Sequence, residues 1–194
     1  MNTLSLNING LGKGDFKISW VSNLILKHKI NFACIQETKR KKLDNRKISK
    51  MWGSFDFDYA YQSSVGQGGG LVSIWNKDLF HKKGEIIQRD CIIVHGVWKE
   101  GGQPICFVNI YASQNPSIRA DLWNTITSFL TNWEGLYIVC GDFNDVRNSD
   151  ERRGSFYDSR ASNRFNQFIH SNQLIDVKIG GCSFTWANKT RHKA

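Results

Sequence analysis

The sequence predicts an α/β fold in which two β-sheets pack face to face with helices outside. Three observations predict it. The chain opens with a strand, a helix and a second strand inside about forty residues. Its middle is a series of strand-like runs punctuated by hairpin turns and few helices. Later, Leu136 to Cys140 form a largely apolar run that stops at Gly141, the pattern of a strand buried on both faces.

The elements follow in order. Thr3 to Ile8 alternates Leu4, Leu6 and Ile8 with Ser5 and Asn7, which predicts a half-buried strand; Asn9-Gly10-Leu11-Gly12 then breaks it. Ile18, Val21, Leu24 and Ile25 recur at helical spacing over 17–28. Asn31 to Glu37 reads as the second strand, ending at a carboxylate. The basic run Lys39-Arg40-Lys41-Lys42 leads into a short helix ending near Met51-Trp52-Gly53. Phe55 to Tyr61 is an aromatic, alternating strand, and Gly66-Gln67-Gly68-Gly69-Gly70 is a turn before the strand Leu71 to Trp75. Ile86-Ile87, Cys91 to Trp98 and Ile105 to Tyr111 are further strands, the last two joined across Lys99-Glu100-Gly101-Gly102 as a hairpin. Ile118, Leu122, Trp123, Ile126, Phe129 and Leu130 mark an amphipathic helix, and Phe165, Phe168 and Ile169 mark another over Arg160 to His170. Leu174 to Val177 and Ser183 to Trp186 read as short strands. No repeat interrupts this order, and 194 residues suit one domain, 1–194, with a substantial core.

Composition narrows the function classes. Charged residues at 22% and hydrophobic ones at 40% fit a globular chain, not a disordered one. The net charge of +9 favours polyanionic partners, nucleic acid first. Five cysteines, at 34, 91, 106, 140 and 182, form neither a C-x-x-C pair nor a cluster, which argues against a disulfide framework and a zinc site. A reducing, intracellular setting in nucleus or cytoplasm is the expectation. The first residues lack a basic and apolar leader, and no run reaches the length of a membrane helix. The expected protein therefore has no membrane contact, and a monomer is the expectation.

Polar residues recur where strands end: Asn7 and Asn9, Glu37, Tyr111, then Asp142 and Asn144. Singly each has an ordinary explanation. Asn7 and Asn9 form turns, Glu37 is a solvated acid, Tyr111 is an amphipathic core residue, and Gly141-Asp142-Phe143-Asn144 is an Asx-type turn. Jointly they suggest a site, because ligand sites collect at strand ends in α/β sheets.

Five segments carry a more specific signal. Leu6-Asn7-Ile8-Asn9-Gly10-Leu11, Ile35-Gln36-Glu37-Thr38-Lys39, Gly68-Gly69-Gly70-Leu71, Asn109-Ile110-Tyr111-Ala112-Ser113 and Gly141-Asp142-Phe143-Asn144 stand in this order. In that order they resemble the motifs of the endonuclease/exonuclease/phosphatase superfamily, whose sandwich is DNase I-like. In detail the chain is similar to the apurinic-type endonuclease domain of plant LINE (non-LTR) retrotransposons, and Cys182-Ser183-Phe184-Thr185-Trp186 matches a strand near that domain's end. The resemblance implies a DNA endonuclease dependent on Mg²⁺, with Mn²⁺ as the alternative, ancestrally fused to a reverse transcriptase. It implies Glu37 as the principal metal ligand with Asn9 beside it. Asn7 and Asn144 would hold the scissile phosphate, Tyr111 would position it, and Asp142 would orient the attacking water. DNA contacts fall to Lys39, Arg40, Lys41, Lys42, Arg152 and Arg153, runs that are otherwise solvated surface.

One departure stands out. The family completes its site with a late aspartate and a terminal Ser-Asp-His, yet this sequence contains no Asp-His dipeptide, and His192 has no acidic neighbour. The other four histidines, His28, His81, His95 and His170, read as structural or solvated. The expectation is a C-terminally truncated domain lacking its final strands and several orders of magnitude slower than a complete one, since triad-like units fail together. Two alternatives stay open: a catalytically dead nucleic-acid-binding module, and a phosphoinositide or lipid phosphodiesterase of the same superfamily.

Overall fold

In the computed structural model, which describes residues 1–54, 56–66, 68–154 and 156–177, the opening becomes a parallel strand pair. Strand β1 (Thr3–Asn7) lies beside β2 (Phe32–Gln36), with helix α1 (Phe16–Lys27) between them in sequence. After helix α2 (Asn45–Trp52) come β3 (Phe57–Gln62) and β4 (Leu71–Asn76), completing a sheet of order β1-β2-β4-β3. A second sheet is β5 (Phe80–Ile87), β6 (Cys91–Trp98), β7 (Gln103–Tyr111) and β8 (Leu136–Asp142), in that order, antiparallel except for the parallel β7–β8 pair. The chain divides into two compact units, and both sheets with α1 and α2 lie in the first, Met1–Asn115 with Asn132–Asn144.

Why the first unit is a sandwich follows from β2, whose five residues are all buried. Alternation sends Ala33 and Ile35 to one face, where Ile18, Val21 and Ile25 of α1 and Ile48, Met51 and Trp52 of α2 cover them. Phe32 and Cys34 face the other way, into a core shared with Trp75, Phe80, Ile92, Val94 and Phe107. Phe32 stacks on Phe107 with ring centroids 3.6 Å apart, and Phe80 meets Phe32, Trp75 and Phe107 edge-on at 5.6–5.8 Å. Burial of such side chains contributes about 1.5–3 kcal/mol each, which makes this aromatic layer the main join between the sheets. Helix α2 begins at Asp44, whose carboxylate accepts from Lys47 N at 2.9 Å, and ends at Gly53 in the left-handed region.

The second unit, Pro116–Thr131 with the chain from Asp145, contains helices α3 (Pro116–Thr131) and α4 (Ser159–Ser171). Trp123 stacks on Phe168 at 4.8 Å, and Arg119 pairs with Asp145 at 3.0 Å with both side chains buried. Asp158 caps α4 by accepting from Arg160 N and Ala161 N.

Three sequence expectations need correction. Residues 174–177 form no strand. The strand around Ile86-Ile87 is longer, Phe80–Ile87, and wet along much of its length. Strand β8 is half-buried, with Leu136 exposed, and not buried on both faces; its hydrogen-bonded neighbour among the described strands is β7. The expected strand Ser183–Trp186 and His192 lie outside the described residues. Among those described, no helix is long and apolar enough to cross a membrane, and Cys34, Cys91, Cys106 and Cys140 are free thiols.

Candidate active site

Both parallel strand pairs of the first unit end in polar residues. In register, Asn7 stands opposite Gln36, and Tyr111 opposite Asp142. Asn7 and Asp142 meet across the two sheets: Asn7 Nδ2 donates to Asp142 Oδ2 at 2.7 Å. The other carboxylate oxygen accepts from Asn144 N at 3.1 Å, closing the Asx turn. Charge-assisted bonds of this kind are about twice as strong as neutral ones, and here they fix the carboxylate from two sides. The turn requires Gly141. Its φ is +138°, and a Cβ there would lie 2.0 Å from Ile110 O. Asn144 itself takes φ +50°; its Nδ2 donates to Ala112 O at 2.7 Å, and its Oδ1 accepts from Gln114 Nε2 at 2.6 Å.

Glu37 and Asn9 form the second half of the cluster. Strand β2 stops at Gln36 because Glu37 turns into the left-handed region at φ +56°. Lys39 does the same at +53° and Asn9 at +47°. The bends are tied from both sides: Gly10 N donates to Glu37 O at 2.7 Å, Thr38 N to Gly70 O at 3.0 Å and Lys39 N to Gly69 O at 2.9 Å. Thr38 is fully buried between them, and a Cβ on Gly70 would lie 2.3 Å from its Oγ1, which explains one glycine of the tract. Lys17 Nζ, from α1, donates to the carbonyls of Ile8, Asn9 and Gly10 at 2.6, 2.9 and 2.7 Å, locking the loop that carries Asn9.

The oxygens of Glu37 and Asn9 converge on one positive charge. Lys39 Nζ lies 3.0 Å from Glu37 Oε1 and 2.6 Å from Asn9 Oδ1. A carboxylate and an amide oxygen turned on a common cation suit a hard divalent ion that keeps most of its waters. The described residues contain no cluster of three or more His, Cys, Asp or Glu for a metal, so the fit is to a sparse site of this kind and not to a protein cage.

Tyr111 closes the group. Burial pushes its phenol up to about 12, with the negative charges of Glu37 and Asp142 adding to the effect. The hydroxyl therefore stays protonated and can donate. Beneath it, two sheets are bridged by a buried amide pair: Gln36 Nε2 donates to Asn109 Oδ1 at 2.8 Å, and Asn109 Nδ2 to Val72 O and Ser73 Oγ at 3.1 and 3.2 Å. Beside Tyr111 opens a cleft of ≈ 260 Å³ lined by Ser63, Gly68, Gly70, Arg89, Asp90 and Gln114, among others. Burial holds the Asp90 carboxyl above the usual carboxylate range, against the opposing charge of Arg89.

The structure thus brings Asn7, Asn9, Glu37, Tyr111, Asp142 and Asn144 to one end of the first unit. The basic residues do not act alike. Lys39 faces the cluster, the Arg40 guanidinium donates to Gly12 O, and Lys41 and Lys42 are exposed. Arg152 and Arg153 belong to the second unit, where Arg152 Nη1 donates to Phe156 O at 3.2 Å. Sequence reasoning missed Lys17, Gln114 and the Gln36–Asn109 pair. Only Asn109 carried a signal, a polar residue at an inward position of an apolar strand.

A sequence profile of the Endonuclease/Exonuclease/phosphatase family matches residues 4–192. No curated protein sequence matches the chain. Among solved structures it is similar to AP endonuclease LMAP from Leishmania major, at 12% identity and TM-score 0.70, covering 88% of this chain and 66% of that one. It is similar also to an AP endonuclease from Archaeoglobus fulgidus, at 13% and 0.67, covering 88% and 70%. A third is the 3′ phosphatase NExo from Neisseria bound to a product DNA hairpin, at 14% and 0.65, covering 88% and 71%. The likeness is one of fold, and the chain spans about two thirds of the length of these proteins.

Proposed function

The chain belongs to the endonuclease/exonuclease/phosphatase family, and from that premise we propose that it is a metal-dependent DNA endonuclease of LINE-retrotransposon ancestry, weakly active as these 194 residues. The observation that carries this reading is the bonded cluster Asn7–Asp142–Asn144, with Glu37 and Asn9 at the same end of the unit. The similar AP endonuclease, the similar 3′ phosphatase bound to a DNA hairpin and the net charge of +9 support DNA as substrate.

Glu37 and Asn9 would hold Mg²⁺ or Mn²⁺, which when bound neutralises charge developing on phosphoryl oxygens. The chain's own groups do the rest. Asp142, held by Asn7 and Asn144 N, presents a fixed carboxylate that accepts a proton from the attacking water. Tyr111 donates its neutral hydroxyl to the phosphate, and the amides of Asn7 and Asn144 supply further preorganised donors. The sequence contains no Asp-His dipeptide, and loss of a general acid or base costs about 10²–10⁴ in rate. That absence favours, as the second reading, a module that binds DNA without cutting it.

Nicking of supercoiled plasmid by the purified chain with Mg²⁺, beside Glu37→Gln, tests the assignment. The expected result is slow nicking by the parent, none by the variant, and DNA affinity within about twofold for both, since Glu37 is no phosphate contact. Equal nicking by both proteins would place the chemistry elsewhere. Salt-sensitive binding with no nicking by either would establish the binding-module reading.

A further inference from the structure

The ammonium of Lys39 occupies the place that the metal reading assigns to a divalent ion. It lies 3.0 Å from Glu37 Oε1 and 2.6 Å from Asn9 Oδ1. An exposed lysine–carboxylate pair would carry little meaning, but this one is built in. The Glu37 side chain is only 16% exposed, while that of Lys39 is 36% exposed. The lysine's backbone sits in the left-handed region, secured by Lys39 N to Gly69 O. Its aliphatic stem lies over Gly10, where an added Cβ would stand 3.0 Å from Lys39 Cδ, so the glycine leaves room for the stem. The Asn9 backbone is held independently of Lys39, by Lys17 Nζ on its carbonyl and by its own N–H donating to Asn7 Oδ1 at 3.0 Å, while Lys39 holds the side-chain oxygen. The charges facing the spot are Glu37 and Lys39, with Asp142 acting on the neighbouring Tyr111. Because Asn9 is neutral, one ammonium already balances the one carboxylate of the pair.

We propose that Lys39 is a tethered counter-ion that keeps the Glu37–Asn9 seat formed and charge-balanced when no metal is present, and that a divalent cation binds by displacing it. The proposal rests on the metal reading above and adds a positioning residue to it. It makes Lys39 a competitor of the metal: metal binding carries the cost of breaking a partly buried ion pair. It also separates Lys39 from Lys41 and Lys42, which face solvent and hold no such place.

Calorimetric titration of the metal-free chain with Mn²⁺ alone, then of Lys39→Met, tests it. Methionine keeps the stem's bulk and removes the charge. The expected result is roughly fivefold to tenfold tighter Mn²⁺ binding by the variant, the equivalent of one ordinary net hydrogen bond at a partly exposed position, together with a lower melting temperature without metal. A merely structural lysine would lower the melting temperature without tightening the metal. The parent protein provides a second readout should the variant fail to fold. Acylation by a small amine-reactive ester, mapped by mass spectrometry, should label Lys39 several-fold faster at saturating Mg²⁺ than without it, while Lys17, Lys41 and Lys42 stay unchanged. Unchanged Lys39 labelling, or Mn²⁺ binding by Lys39→Met no tighter than by the parent, would overturn the proposal. If the parent bound no Mn²⁺ at all, the metal reading itself would fall and this one with it.

Discussion

Asn109→Ala probes whether the buried amide bridge holds the site's two sheets together. Asn109 is fully buried and makes three hydrogen bonds, one from Gln36 Nε2 and two to Val72 O and Ser73 Oγ. At about 0.5–1.5 kcal/mol each, they sum to about 1.5–4.5 kcal/mol. The partners are not wholly orphaned. Gln36 Nε2 keeps Cys34 O at 3.0 Å, and the Ser73 hydroxyl keeps the Cys34 thiol beside it. The cavity left by the amide adds to the loss. These effects place the expected destabilisation at about 2–3 kcal/mol. Because the chain divides into two units, a bulk melt can contain two transitions. Hydrogen exchange over the β4 and β7 peptides reports the first unit alone, and exchange there should quicken roughly 30- to 150-fold. Quickening by less than about fivefold, equivalent to about 1 kcal/mol, would refute the bridge as a structural join. So would strict additivity between Asn109→Ala and Ser73→Ala, since bonded neighbours couple.

Two further outcomes follow from the same geometry. Gly141→Ala places a Cβ against Ile110 O at φ +138°, so it should cost at least about 2–3 kcal/mol and quicken exchange at the end of β8; a variant as stable as the parent would remove the steric reason for this glycine. Burial pushes the Cys91 and Cys106 thiols and the Tyr111 phenol up to about 12 in the fold, whereas unfolded thiols ionise near about 8.5 and phenols near about 10. Above those values the unfolded state has lost protons that the fold retains, so stability is full below about pH 8.5 and falls as pH rises toward 12. Melting temperatures from pH 8 to 11 at fixed ionic strength should fall steadily; a flat profile would contradict the shifts.

The fold was legible where burial imposes a period. The alternation of β1, the helical stripe of α1 and the aromatic content of the β2–β4 region all mark faces that water must leave. Strand β5 hid because Lys82, Lys83, Gly84 and Glu85 are poor strand formers on a wet edge, with a bulge between Lys82 and Gly84. The half-burial of β8 was misread because an apolar run states preference for burial and says nothing about how many neighbours a strand has. Lys39 looked like its basic neighbours, since sequence cannot show that a left-handed backbone brings one lysine of a run onto Glu37 and Asn9. Gln114 escaped for a related reason: its bond to Asn144 joins loops thirty residues apart that nothing local connects.

The backbone of the candidate site supports the view that it forms before any ligand arrives. Asn9, Glu37 and Asn144 all sit at positive φ, and a left-handed conformation costs an ordinary residue about 1–2 kcal/mol, less for asparagine. Glu37 has no such tolerance, so its conformation must be imposed by what surrounds it. The surroundings are visible: Gly10 N on its carbonyl, the buried Thr38 after it, and the glycine tract behind. Lys17 does the same for the Asn9 loop, while Ala112 O and Gln114 do it for the Asn144 side chain. Each of these constraints is made by the protein's own groups. A site held in this way keeps its shape whatever the rate of turnover, because the bonds that shape it do not depend on the proton transfers of the reaction. Retained DNA binding beside weak nicking is therefore the coherent expectation for this chain, and the Glu37→Gln comparison separates the two properties directly.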